Sequence, residues 1–403
     1  MGAYSNLLKT PGVARIIAAQ LTARFPFGML SLAFLLHVEH VTHSYGAAGI
    51  VLAATSVGQA ISGPLTSRWM GIWGMRPVLL LTLAVCFASL IVFALAPLTL
   101  PLYMVVGFVA GLSVPPVQPA VRTIYPKMVN SKQLTPLFSL DASAQEIIWV
   151  AGPVITTFVG TQIGTTYAIL TAAAFLIGGG IWFIASPEVG QVRIPKSKRS
   201  FGKVLARPTV LLSTITGFLL IGTCAAVEAG VISAFGDGSP NSGFVLAVFA
   251  IGSLAGGLLL GHLPVGPWSL PIRMVIVFAG IALTIFIPTS FVWLCVTLLI
   301  AGVGIAPALA VMFAIISSSV RFSDTAEAYG WAGTGQLIGA AIGSAIAGAL
   351  IDQTGTVGGL YVAAGFALLG VLVPTLFQRV LPDLRGTDAG PLADTEPVPI
   401  QAS

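Results

Sequence analysis

The stretch Leu137–Gly160, LFSLDASAQEIIWVAGPVITTFVG, places two carboxylates, Asp141 and Glu146, inside a run otherwise apolar enough to cross a bilayer. An ionised side chain near the bilayer centre costs about 2.5–3.5 kcal/mol on insertion scales, so such groups face a bundle interior or a wet cavity and mark a pathway. The run is the fifth of a series. Apolar runs of spanning length, separated by Pro, Gly or charge, fall at 14–36, 46–68, 77–96, 101–122, 137–160, 164–185, 209–234, 243–262, 271–288, 291–318, 326–350 and 358–378. The expected fold class is an all-α integral membrane protein with twelve transmembrane helices.

Composition agrees. Of 403 residues, 56% are hydrophobic and 8% charged, with mean hydropathy +0.98, whereas soluble domains carry about 25% charged residues. The formal net charge of +5 is not a nucleic-acid signature, because the Lys and Arg residues are dispersed among short loops. All of the eighteen except Arg24 fall on one side of the spans, which places both termini in the cytoplasm by the positive-inside rule; the expected location is the inner (cytoplasmic) membrane. Cys86, Cys224 and Cys295 lie in different apolar runs and read as buried thiols. The first run is long enough to span and no small-residue cleavage site follows it, so a retained helix is expected rather than a signal peptide.

The halves repeat. AGLSVPP at Ala110–Pro116 matches AGVGIAP at Ala301–Pro307, and the same offset of 191 aligns Gln145 with Gln336 and Gly152 with Gly343. Gly58, Gly63 and Arg68 meet Gly252, Gly257 and His262 at an offset of 194. The expected organisation is a six-helix bundle over 1–185, a basic cytoplasmic linker over 186–207, a second six-helix bundle over 208–380 and a disordered cytoplasmic tail over 381–403. Parallel repeats put a substrate path between them at the midplane, with one bundle rocking against the other.

Twelve helices, a basic central loop and this duplication resemble the major facilitator superfamily. GPLTSRWMGIWGMRPVLL at Gly63–Leu80 is similar to the family's loop between helices 2 and 3. There the resemblance implies close packing at a Gly and a cytoplasmic charge latch, with Gly63, Arg68 and Arg76 as candidate gate residues; Arg122, near the cytoplasmic end of helix 4, is a further gate candidate from its position. The acidic residue that pattern expects near Gly71 is absent. Gly152–Pro153 is similar to the Gly-Pro motif of the drug/proton antiporters, although Ile148 stands where that motif has a glycine and no mid-helix Arg occurs in helix 4. The resemblance implies proton-coupled export of amphipathic or drug-like compounds by alternating access.

Arg24 lies roughly 13 Å into helix 1 and Glu146 at a similar depth in helix 5, so the two could pair. A carboxylate facing an Arg holds its charge more readily than one in an apolar cavity, so a Glu moving between those settings can carry a proton. Its counterpart in the repeat is Leu337, which assigns this coupling charge to the first half. A fixed Arg24–Glu146 pair that only sets packing is the plainer reading. Asp141 is five residues and about 140° away from Glu146, so it faces elsewhere and could meet Arg122 at the end of helix 4. Glu146, Arg24 and Asp141 form the candidate proton-coupling set. Gln118, Gln145, Trp149, Glu228, Trp331 and Gln336 are candidates to line the substrate cavity, with interhelical packing as their alternative.

HVEHVTH at His37–His43 lacks a standard zinc spacing, so no metal is expected there. No HExxH, GxSxG or GxxxxGK[ST] occurs, which leaves protease, hydrolase and P-loop ATPase readings without their motifs. A secondary transporter rather than an enzyme is expected, without cofactors and monomeric. Its expected partners are a small-molecule substrate, protons and membrane lipid, with no nucleic acid. Uptake of a sugar or other metabolite, and a non-transporting scaffold or receptor, are the alternatives.

Overall fold

The computed structural model describes residues 2–236, 239–386 and 390–394. Among these, eleven helices are long and apolar enough to cross a membrane, and a twelfth is shorter. They are α1 (Val13–Thr42), α2 (Tyr45–Trp73), α3 (Met75–Leu95), α4 (Leu100–Met128), α5 (Ser131–Gln162), α6 (Thr165–Ala185), α7 (Pro208–Phe235), α8 (Pro240–Leu260), α9 (Ser269–Thr284), α10 (Phe291–Ser319), α11 (Phe322–Thr354) and α12 (Thr356–Leu376). The hydropathy reading finds each of them. Ser44, Asn130 and Ser290 start α2, α5 and α10 by accepting from the backbone N–H three residues on, satisfying donors that a helix leaves free.

Two helices are broken, and proline is the cause in both. Pro26 sits in a 3-10 turn, Phe25–Gly28, which separates Val13–Arg24 from Leu30–Thr42 within α1. Pro115 and Pro116 interrupt α4 between Leu112 and Val117, while α10, with Pro307 alone at the matching place, runs unbroken. Each proline removes one donor, and the second also bars the helical conformation for the residue before it.

The duplication reappears as close helix crossings. A side chain on Gly152 of α5 would collide with the backbone of Gly28 in α1, and one on Gly343 of α11 with the backbone of Gly222 in α7. Small residues permit such approaches, and van der Waals contact is what joins helices in lipid. Contacts between the first six and the last six helices gather toward the end that carries the Lys and Arg residues, called the basic end below. There Gly63 meets Gly330, Thr334 donates to the Ala60 carbonyl at 2.8 Å, and the Tyr4 and Ser139 hydroxyls both donate to the Gly257 carbonyl at 2.7 Å.

The tail expected to be disordered from residue 381 is corrected in part. Leu384 N–H bonds the Val265 carbonyl at 2.9 Å, and Leu392 exchanges bonds with Val320 and Phe322 at 2.9 and 3.1 Å. A tail polar in composition finds unpaired backbone groups on the loops of the bundle. Residues 387–389 and 395–403 lie outside the described residues.

Candidate transport site and gate

The break in α1 leaves Arg24 at the end of a helical segment, facing α4 and α5. Its Nη1 donates to Asp141 at 3.2 Å and to Gln20 Oε1 at 2.7 Å, and its Nη2 donates to Gln145. Gln20 Nε2 also reaches Asp141 Oδ1, at 3.0 Å. From α4, Arg122 Nε donates to Asp141 Oδ2 at 3.0 Å, and the Gln118 side-chain amide lies against the same guanidinium, which its oxygen satisfies when turned toward it. Asp141 is fully buried, and Arg24 and Arg122 are each 2% exposed. Two cations thus share one anion away from water. Each charge taken out of water costs several kcal/mol, which only close hydrogen bonding repays.

This geometry corrects the expected Arg24–Glu146 pair. Depth along the helix matched, but Glu146 points away from α1 and accepts instead from Ser253 of α8 at 2.7 Å. The angular separation of Asp141 and Glu146 is seen directly: one faces α1 and α4, the other the opposite six helices. The Asp141–Arg122 contact is present, in a dry interior rather than at a wet helix end. On α7, Glu228 is exposed.

Toward the basic end the bundles meet through rings. The Arg122 guanidinium lies 3.4 Å from the centroid of Phe313 on α10. Phe138 of α5 packs against Phe313 and Tyr329 at centroid distances of 6.2 and 6.3 Å, and Tyr125 of α4 packs against Phe138 at 5.9 Å. All four rings are at most 2% exposed. Arg122 therefore touches Asp141 in its own bundle and Phe313 in the other, joining the buried charges to the closure.

A charge latch lies beside this plug. Arg68 Nη1 donates to Glu327 Oε2 of α11 at 2.8 Å, Glu327 Oε1 accepts from Gly202 N–H at 2.8 Å, and Arg68 Nη2 bonds the Arg199 carbonyl. Asp324, one turn before Glu327, is held by Ser197 and by Arg199 Nε, the latter at 3.5 Å. An acid of α11 thus faces Arg68, where none occurs near Gly71. Sequence pattern alone misses it, because 259 residues separate the partners.

Other candidates fall elsewhere. Arg76 bonds the Ile184 and Ser186 carbonyls and fastens α3 to the end of α6, so it does not bridge the bundles. Trp331 packs against Phe201 of the linker in a tilted arrangement, with ring centroids 5.7 Å apart, at the basic end. Gln336 lies against α7 at Gly217, and Trp149 is 52% exposed on α5. His37 bonds Thr165 at 3.2 Å and Tyr103 at 3.4 Å.

A duplicated bundle of membrane-length helices whose halves meet around buried charges is the architecture of a membrane carrier. The sequence profile described as Major Facilitator Superfamily matches residues 16–269 and again 227–401, and the chain belongs to that superfamily. It is similar in fold to the human organic anion transporter MFSD10 (TETRAN), at 14% identity and TM-score 0.70, covering 90% of this chain and 98% of that one. The proton:xylose symporter XylE aligns at 12% identity and TM-score 0.71, over 94% of this chain and 97% of that one. A bacterial homologue of the iron transporter ferroportin in an outward-facing state aligns at 11% identity and TM-score 0.71, over 91% and 99%. No curated protein sequence matches the chain significantly.

Proposed function

We propose that this multi-pass carrier exports small amphipathic cations across the cytoplasmic membrane in exchange for protons, with both termini cytoplasmic and the basic end facing inward. The observation that carries the reading is Glu146. It is a mid-membrane carboxylate whose described side-chain bond is to a serine of the opposite bundle rather than to a cation. Hydrogen bonds to a charged acceptor are about twice as strong as neutral ones. A proton arriving from outside weakens the hold of Glu146 on Ser253 and lets α5 and α8 part. Once the proton leaves toward the cytoplasm, the carboxylate is free to receive a cationic solute, with Glu228 a second acid on the same path. The arginines do not compete, since Asp141 occupies them.

A second reading, transport of an anionic solute, is favoured by one observation. Two arginines facing one aspartate leave a positive excess, and Arg24 Nε has no hydrogen-bond partner among the described residues. Accumulation of a lipophilic cationic dye in cells separates the two. The export reading expects wild-type protein to lower accumulation, and both Glu146→Gln and a protonophore to abolish the effect. Equal accumulation in all conditions at equal expression rejects cation export and turns attention to anions or metabolites.

A further inference from the structure

Helix α11 presents both latch acids, Asp324 and Glu327, in its first turns, yet its own N-cap residue, Arg321, supplies no capping side-chain bond. The cap comes from the far end of the chain. Asp394 Oδ1 accepts from the Ser323 N–H at 3.1 Å, one of the donors a helix start leaves unsatisfied, and a carboxylate there also meets the positive end of the helix dipole. Leu392 secures the approach, giving its N–H to the Val320 carbonyl and accepting from Phe322 N–H. Further back, Leu384 is tied to Val265 in the α8–α9 connection. These bonds all join the strap to the last six helices. Toward the first six, a cavity of ≈ 720 Å³ lies between the strap and Lys127, Met128 and the linker residues Gln191 and Arg193.

The strap is therefore anchored on the side of the gate that carries the acids and stands clear of the side that carries Arg68. We infer that Asp394 is a positioning residue of the gate. It fixes the first turn of α11 so that Asp324 faces Ser197 and Arg199 while Glu327 faces Arg68 and the Gly202 N–H. The C-terminal strap thereby favours the state closed at the basic end. This inference rests on the gate reading above, and the two fail separately.

The test uses the full-length chain in liposomes, with Cys86, Cys224 and Cys295 replaced by alanine and spin labels on Lys132→Cys and His262→Cys. The label distance reports the separation of α5 from α8 at the basic end. Removing a helix cap shifts an equilibrium by roughly threefold to tenfold, so Asp394→Ala should raise the open-to-closed ratio by about that factor. Asp394→Asn, which also caps, should restore the wild-type distribution. Leu392→Pro removes the N–H that holds the strap and should act like the alanine variant. Glu327→Gln serves as the latch control. If Glu327→Gln opens the gate while Asp394→Ala and Leu392→Pro leave the distribution unchanged, the role of the strap is overturned. An asparagine variant as open as the alanine variant overturns the capping argument. No opening in any variant, Glu327→Gln included, overturns the latch and with it this inference.

Discussion

Replacing Phe313 by Leu tests the link between the buried charges and the closure. The Arg122 guanidinium sits 3.4 Å from the Phe313 centroid, and the two residues belong to opposite bundles, so the contact exists only while the basic end is shut. Phe313 is 1% exposed, and a cation–π contact in a desolvated setting is worth about 2 kcal/mol. Leucine keeps an apolar side chain at the site but has no ring face to offer. A stabilisation present in one state and absent from the other moves their ratio by its full amount, which at 1.4 kcal/mol per factor of ten is roughly thirtyfold toward the open state. The loss of packing volume acts in the same direction. The assay is alkylation of a cysteine introduced at Phe138, a position fully buried in the plug, by a membrane-impermeant reagent added at the basic end. The expected outcome is labelling tens of times faster in Phe313→Leu and near wild-type labelling in Phe313→Trp, which keeps a ring face. Unchanged labelling in the leucine variant would refute the claim that Arg122 ties the charge cluster to the gate.

Other consequences are equally direct. Asp141→Asn leaves Arg24 and Arg122 buried without their shared anion, and breaking a buried pair in this way costs about 3–5 kcal/mol; a clear fall in the melting temperature in detergent is expected, with partial recovery in Asp141→Asn/Arg24→Gln. Gly152→Leu drives a side chain into the Gly28 backbone and should destabilise the α1–α5 crossing by about 1–3 kcal/mol, while the same change at Gly348, which has open space around it, should leave the melting curve unchanged. Arg68→Gln removes a partly exposed ion pair worth no more than about 1 kcal/mol, so it should open the basic end only a few-fold, and less at high salt than at low.

Helix number and extent were legible because lipid leaves a chain few alternatives: a run of about twenty apolar residues must be a helix that satisfies its own backbone. The duplication was legible because glycines at crossings, such as Gly152 and Gly343, recur at a fixed offset. The partner of Arg24 was not. Helix rise gives depth and the helical wheel separates Asp141 from Glu146, but which face looks toward α1 is decided by how the helices pack. The latch acid Glu327 was hidden for the same reason, since nothing near Gly71 in sequence points to α11. The hydropathy run 101–122 passed over the break at Pro115–Pro116, and its absence from α10 likewise required the structure. Trp331 resembled a cavity residue by type, whereas its neighbour Phe201 comes from the linker.

The most direct test of the central claim is proton movement through purified protein in liposomes loaded with a lipophilic amine dye. With an inward-directed proton gradient imposed and dye at equal concentration on the outside, the account predicts net dye exit, uphill once it begins, and matching proton entry for the wild type. It predicts neither for Glu146→Gln, while dye exchange between the two sides without a gradient persists in the variant. Gradient-driven dye movement with wild-type proton flux in Glu146→Gln would contradict the assignment of Glu146 as the proton carrier.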